Sequence, residues 1–318
     1  MILKLYKTNY FLGLALIPLV AFVLSLPIIF SEVKLINYTY QWQIDVFGFV
    51  QQIKWLNVLL TFLFITLNAV MLNNFFNKSH FFTKITYVPA IIYLILLSFI
   101  HYLSFAPFIF EHFLLIVLVT QLIKINQNKL AIDTIFKSSL IIGLLYCFSS
   151  YYIILFPFGI ITLTIIKAFN IKEWLVSFLG ILIPIIWFYA LQFLFDKPFE
   201  YPKFIGQYVS NTQFQIFDYI QGVGFLLLVI SNIFPLFGYY SRNKVIVKKQ
   251  LLTIVVLQVL TVIISIIAYN FYGVLDYSLL IPLAILISLN SNYIKSDAFL
   301  SFLLTFLLII NIVHLFWS

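Results

Sequence analysis

The chain has 318 residues, of which 64% are apolar and only 9% are charged, and it carries a net charge of +8 at pH 7. Soluble domains are about half apolar and about one quarter charged. This composition therefore excludes soluble enzymes, disulfide scaffolds and disordered chains, and it indicates an all-α bundle of transmembrane helices.

Apolar runs suited to membrane helices follow one another along the whole chain. A helix that crosses a bilayer needs about 20 mostly apolar residues, and fewer where neighbouring helices shelter it. The sequence predicts eleven such runs: 11–30, 55–75, 87–103, 113–125, 135–148, 153–169, 174–195, 223–239, 251–271, 279–289 and 298–316. Several of these runs are short, notably those beginning at Phe113, Ile135 and Leu279, so the predicted number of crossings is nine to eleven.

The basic residues predict the orientation of the bundle. Cytoplasmic segments of membrane proteins are enriched in Lys and Arg. With the N-terminus in the cytoplasm, only four of the 18 basic residues fall on the outside, namely Lys34, Lys54, Lys197 and Lys203. We therefore expect a cytoplasmic N-terminus and, with eleven spans, a C-terminus on the outside.

The acidic residues have the opposite distribution. Asp and Glu contribute little to orientation, so the positive-inside rule does not require this bias. The predicted outside holds seven of the ten acidic residues: Glu32, Asp45, Glu111, Asp196, Glu200, Asp218 and Asp276. The outer side is therefore expected to carry more of the chemistry.

Two connections leave the membrane at some length, and both are predicted on the outside. The first, residues 31–54, mixes polar and aromatic residues, which is typical of an amphipathic segment on the membrane surface. The second, residues 196–222, contains Pro198 and Pro202, which prevent a regular helix there. Neither segment suits a soluble domain, so residues 1–318 are predicted to form a single integral membrane domain.

No Asp, Glu, Lys or Arg lies deep in a predicted run, where an ionisable residue would indicate an ion or proton path. The polar residues inside the runs are neutral, and we expect them to form hydrogen bonds between helices. They are Asn57, Asn68, Gln121, Gln192, Asn232, Gln258 and Asn311. This pattern argues against a proton- or sodium-coupled transporter.

Glu32 and Asp45 are the candidate catalytic residues, because both lie in the first outer segment. A carboxylate near the membrane surface can act as a general base on a sugar hydroxyl, or it can bind a divalent cation against a lipid phosphate. Lys34, Lys197 and Lys203 are the candidate phosphate-binding residues. The alternative is that the acidic residues only solvate the outer ends of the helices.

No metal site with protein ligands alone is predicted. His101, Glu111 and His112 come nearest, but adjacent residues on a helix point in different directions, and zinc ligands usually have closer helical spacing than His101 would give. The basic residues within 241–249 suit orientation-setting charge and contact with anionic lipids, so nucleic acid is not an expected partner.

Residues 166–175 read Ile-Lys-Ala-Phe-Asn-Ile-Lys-Glu-Trp-Leu and are followed by Gly180 and Pro184. This stretch resembles the basic-Pro-Phe-Asn-x-basic-acidic-Trp-Leu…Gly…Pro pattern of an uncharacterised family of bacterial inner-membrane proteins. Ala168 stands where that family often has Pro, and the resemblance covers residues 124–184. It implies a multi-pass protein of the bacterial inner membrane and no particular activity.

A second resemblance concerns architecture. The short runs 135–148 and 153–169, and the acidic first outer segment, are similar to features of membrane glycosyltransferases of the GT-C type. This resemblance implies an enzyme that handles a lipid-linked glycan at the outer face. The chain departs from those enzymes because Glu32 is followed by Val33 and not by a second acidic residue.

Three functions stay open from sequence. The first is a GT-C-like enzyme whose partners are the lipid bilayer and a lipid-linked glycan, with a divalent cation as its candidate cofactor. The second is a non-catalytic subunit or scaffold of an envelope assembly, whose apolar helix faces bind partner membrane subunits. Uptake transport is the third and least favoured, and all three rest on architecture more than on a catalytic motif.

Overall fold

The computed structural model describes residues 11–30, 40–79, 86–100, 103–125, 131–166, 170–194, 216–272, 276–293 and 298–317. These ranges are helical and contain no strand, which confirms the predicted all-α class. The main helices are α1 (Phe11–Ser25), α2 (Lys54–Lys78), α3 (Val88–Leu97), α4 (Pro107–Ile123), α5 (Ile132–Phe148), α6 (Phe156–Ile166), α7 (Ile171–Leu194), α8 (Ile216–Arg242), α9 (Val245–Ile267), α10 (Leu280–Tyr293) and α11 (Ala298–Trp317).

Shorter helical pieces complete the described chain. Pro27–Phe30 continues the direction of α1, and a 3-10 helix, Ser150–Leu155, precedes α6. A π-helical turn, Ala268–Tyr272, extends α9. Between α1 and α2, three short pieces follow one another: Gln41–Gln43, the π-helix Ile44–Gly48, and Phe49–Gln52.

The helices have the length and composition of a membrane protein. Within the described ranges, five stretches are long and apolar enough to cross a bilayer, and they comprise α1 with its continuation, α2, α7, α8 and α9. Further apolar helices are shorter, and such helices reach across a membrane only where their neighbours shelter their ends. Each of the eleven predicted runs overlaps one main helix.

Two short helices form the centre of the bundle. Every residue of α3 is buried, and so are residues 280–291 of α10, which packs against α3. A helix that is apolar on all sides is stable only when other helices surround it. By contrast, α7 exposes Phe178, Trp187 and Phe193, the last of them by 73%, so most of its surface is left for lipid or a partner.

Helices α5 and α7 approach each other closely through small residues. A Cβ added to Gly143 would lie 2.4 Å from the backbone oxygen of Ile181, and one added to Gly180 would lie 2.8 Å from Ser139 Cβ. The hydroxyls of Ser139 and Ser177 are 2.8 Å apart across the same contact. Small residues allow such close packing of membrane helices, where no hydrophobic force drives helices together.

Several of the predicted interhelical hydrogen bonds are confirmed. Asn68 Nδ2 donates to the backbone oxygen of Ile109, and Asn311 Nδ2 donates to Ser98 Oγ. Asn232 Oδ1 accepts from Asn290 Nδ2, and Asn57 Oδ1 accepts from the backbone N–H of Phe105. Each bond spares a polar group from being left unsatisfied in an apolar interior, which would cost about 1–3 kcal/mol.

Polar contacts between described residues divide seven of the connections between the helices into two groups, one at each end of the bundle. The first group, which we name the acidic end, joins the connections that follow α1, α3, α5 and α9. The second group, the basic end, joins those that follow α4, α6 and α8. The bonds at the acidic end are Gln43 Nε2 to Phe148 O, Gln51 Nε2 to Phe105 O and His112 Nε2 to Tyr277 O; those at the basic end are Ala131 N to Glu173 Oε1, Lys249 Nζ to Ile166 O and Gln250 Nε2 to Ile123 O.

Candidate functional site

Of the residues predicted to form the site, Asp45 falls within the described ranges. Glu32, Lys34, Lys197 and Lys203 lie outside the described residues. Asp45 is in the π-helix between α1 and α2, at the acidic end, and its side chain is exposed. Its role as a base or cation ligand stays a prediction.

Residues 40–53, which we name the surface segment, have two distinct faces. Gln43, Phe47 and Gln51 are buried against the bundle, four residues apart along a helical path. The opposite side exposes apolar side chains, including Val46 by 52% and Phe49 by 62%. A helical segment with one face packed on protein and an apolar outer face suits the boundary between a membrane and water.

The surface segment is fastened to the bundle by its two buried amides. Gln43 Nε2 donates to the backbone oxygen of Phe148 over 2.6 Å, and Gln51 Nε2 donates to that of Phe105 over 3.0 Å. The Phe47 ring packs against the rings of Phe105 and Phe110. These contacts hold the segment that carries the exposed Asp45 against the acidic end of the bundle.

The start of α4 differs from its prediction. The helix begins at Pro107, so Glu111 and His112 lie in its first two turns and not in a loop before a helix at Phe113. Proline is favoured at the first position of a helix because its missing N–H would have no partner there. Both side chains are buried, Glu111 at 2% and His112 at 0% exposure.

Glu111 meets Asp276 inside the acidic end, and we name these two residues the carboxyl pair. The Tyr152 hydroxyl bridges them, lying 3.2 Å from both Glu111 Oε2 and Asp276 Oδ1. Ser149 Oγ donates to Glu111 Oε1 over 2.6 Å, and Ser278 Oγ donates to Asp276 Oδ2. Three segments of the chain therefore meet in one polar cluster.

The carboxyl pair has no basic partner in the described part of the chain. Asp276 lies between α9 and α10, and burial raises the pKa of its carboxyl group above the ordinary range. Ser265 Oγ on α9 lies 3.3 Å from Asp276 Oδ2 and adds a further hydroxyl contact. Hydroxyl groups thus replace the water that would otherwise solvate these two acids.

His112 faces a different set of groups from its neighbour Glu111. The backbone oxygen of Tyr277, 2.9 Å from Nε2, can only accept, so Nε2 carries the hydrogen. In the neutral ring, Nδ1 then accepts from the Tyr93 hydroxyl at 3.1 Å. No ring nitrogen is left for a metal ion, and the described residues contain no group of three His, Cys, Asp or Glu that could hold one.

Comparisons with known proteins identify no relative of this chain. No protein-family model matches the sequence, no curated protein matches it, and no solved structure matches the fold.

Proposed function

We propose that the chain crosses a bacterial inner membrane eleven times, with its N-terminus in the cytoplasm and its C-terminus outside. Two observations support this topology. Contacts between described residues hold the connections after α1, α3, α5 and α9 at one end and those after α4, α6 and α8 at the other, as expected when helices run from one end to the other. The predicted cytoplasmic segments also hold all but four of the 18 basic residues. The acidic end would then face the outside.

At this outer end, the protein handles a lipid-linked glycan in the manner of GT-C-type enzymes. Asp45 or Glu32 acts as general base or binds a divalent cation, and Lys34, Lys197 and Lys203 hold the lipid phosphate. The bilayer supplies the lipid-linked substrate from the side of the bundle.

One observation carries this proposal, namely that Asp45 lies at the same end of the bundle as the carboxyl pair. Gln43, two residues before Asp45, binds the backbone oxygen of Phe148, and the next residue, Ser149, binds Glu111. An exposed carboxylate and two buried ones therefore occupy the same end of the bundle. A surface carboxylate is accessible to a sugar hydroxyl, whereas the buried pair can keep one acid protonated.

We expect Asp45→Ala and Glu32→Ala to abolish transfer to the glycan while leaving the amount of membrane protein unchanged. The measurements are the surface glycan, the abundance of the protein, and mass spectrometry of the lipid-linked species that accumulate. Asp133→Ala is the matched control, because Asp133 is an exposed carboxylate near the basic end and pairs with Lys137 at 2.7 Å. Full glycan at normal abundance in both variants would refute the enzyme proposal.

A non-catalytic subunit or scaffold is the second candidate, and the exposed apolar face of α7 favours it. Leu175, Ile186 and Trp187 are each more than half exposed, so this face is open to a partner helix as well as to lipid. A scaffold predicts that the Asp45→Ala strain keeps its glycan.

Uptake transport is a third candidate, since the carboxyl pair provides ionisable groups of the kind that a proton path needs.

A further inference from the structure

The carboxyl pair contains more hydrogen-bond acceptors than its donors can satisfy. Tyr152 has a single hydroxyl hydrogen, yet its oxygen lies 3.2 Å from an oxygen of each acid. If both acids were ionised, the hydrogen could serve only one of them, and the other contact would bring two lone pairs together. One further hydrogen on either carboxyl group resolves the conflict, because that group then donates to the tyrosine oxygen.

We propose that Glu111, Tyr152 and Asp276 hold one proton in common, and that this proton acts as a pH-sensitive latch at the acidic end of the bundle. Two arrangements are equivalent in hydrogen bonding. Either Glu111 donates to Tyr152, which donates to Asp276, or the order is reversed. To convert one arrangement into the other, one carboxyl group gives its proton to the tyrosine oxygen while the tyrosine gives its own proton to the other carboxylate. Atoms and charges therefore balance. The latch does not depend on any enzymatic activity.

The surroundings of the pair support a shared proton. The 3-10 helix contributes the titratable groups Tyr151 and Tyr152, and Tyr277 lies next to Asp276. His112 lies next to Glu111, with Tyr93 of α3 behind it. Helix α9 contributes Ser265, which does not titrate. The tyrosines bring no positive charge, and the bonds of His112 are satisfied in its neutral form. Two negative charges at this depth would therefore repel each other without compensation.

The latch closes one segment onto the bundle. Residues 276–278 lead into α10 and are held to α4 twice, through the shared proton and through the bond from His112 Nε2 to the Tyr277 oxygen. When the pH rises and the proton leaves, repulsion between the acids breaks the first tie. The 276–278 segment then detaches from α4 and exposes the polar interior of the acidic end.

The shared proton should also make the folding stability of the protein depend on pH. The folded state keeps a proton that an unfolded chain, whose ordinary carboxyl groups titrate at about pH 4, loses at lower pH. Where the folded state binds more protons than the unfolded state, stability falls as the pH rises. The loss of stability therefore begins as the pH rises through the ordinary carboxyl range and continues until the pair itself titrates.

The test uses the full-length protein in detergent. Infrared spectra across a pH series should show a carboxylic-acid C=O band that persists above the range of exposed carboxyl groups, and that is absent in Glu111→Gln and in Asp276→Asn. Asp133→Asn should keep this band, because Asp133 is an exposed carboxylate away from the pair. The protection of the peptide that covers residues 276–283, measured as its exchange rate relative to the intrinsic rate at each pH, should fall steeply as the band disappears.

The Glu111→Gln variant provides the second arm. The glutamine amide donates permanently to Tyr152, so protection of residues 276–283 should become independent of pH over the range in which the wild type loses it. Absence of the persistent band in the wild type would overturn the shared proton. Persistence of the band in both Glu111→Gln and Asp276→Asn would overturn it as well. If the band persists and then disappears while the protection of residues 276–283 stays constant in the wild type, the latch is overturned, and this measurement needs no variant to fold.

Discussion

Tyr152→Phe is expected to lower the free energy of unfolding by about 3 kcal/mol. The substitution keeps the ring and removes the hydroxyl that serves two buried carboxyl groups. A hydrogen bond to a charged group contributes about 1.5–3 kcal/mol, and an unsatisfied buried acceptor is costly in its own right. Chemical unfolding of the detergent-purified protein, followed by tryptophan fluorescence, measures the change.

Tyr151→Phe is the matched control for this variant. Tyr151 is the neighbouring residue, is 4% exposed, and packs against Tyr152 with ring centroids 5.1 Å apart, whereas the hydroxyl that bridges the carboxyl pair belongs to Tyr152. Its substitution should cost clearly less. Equal losses in the two variants would mean that the hydroxyl of Tyr152 contributes nothing particular to the acidic end.

Gly143→Leu is expected to separate α5 from α7 and to destabilise the protein by about 3 kcal/mol. Even a methyl group at this position would lie 2.4 Å from the Ile181 carbonyl oxygen, so the backbones themselves would have to move. Overpacking of a well-filled interior typically costs about 1–3 kcal/mol, and backbone displacement puts this site at the upper end. The thermal unfolding midpoint in detergent is the measurement.

The control for this variant is Gly222→Leu in α8. A Cβ at Gly222 meets nothing within 4 Å, so a larger side chain has open space. Because glycine is a poor helix former, this substitution should leave the midpoint unchanged or raise it slightly. A similar fall in both variants would show that the effect at Gly143 is not caused by the approach of α7.

Much of the fold could be predicted from hydropathy, because helices in a membrane must satisfy their own backbone and cover it with apolar side chains. The eleven runs therefore each overlap one main helix, although their bounds differ. Neutral amides such as Asn68 and Asn311 bond between helices, as the sequence predicts. Gly180 stands out in the sequence only as part of a pattern, and the structure gives it a packing role against Ser139.

The carboxyl pair could not be found in the same way. The apolar run that begins at Phe113 leaves Glu111 before the predicted helix, although Pro107, a typical first residue of a helix, signals the earlier start. Asp276 is a single acid before a short apolar run, and nothing nearby in the sequence links it to Glu111. Its bridge through Tyr152 joins positions 124 residues apart, a contact that only the folded chain reveals.

The central claim is that the acidic end of this membrane bundle faces the outside. Single cysteines at Asp45 and at Lys172, both exposed in the structure, test it in a Cys147→Ala background. A maleimide that cannot cross the membrane should label Asp45→Cys in intact spheroplasts, and should label Lys172→Cys only after the membrane is permeabilised. Labelling of Lys172→Cys alone in intact spheroplasts would contradict the orientation, and with it the outer location of the carboxyl pair.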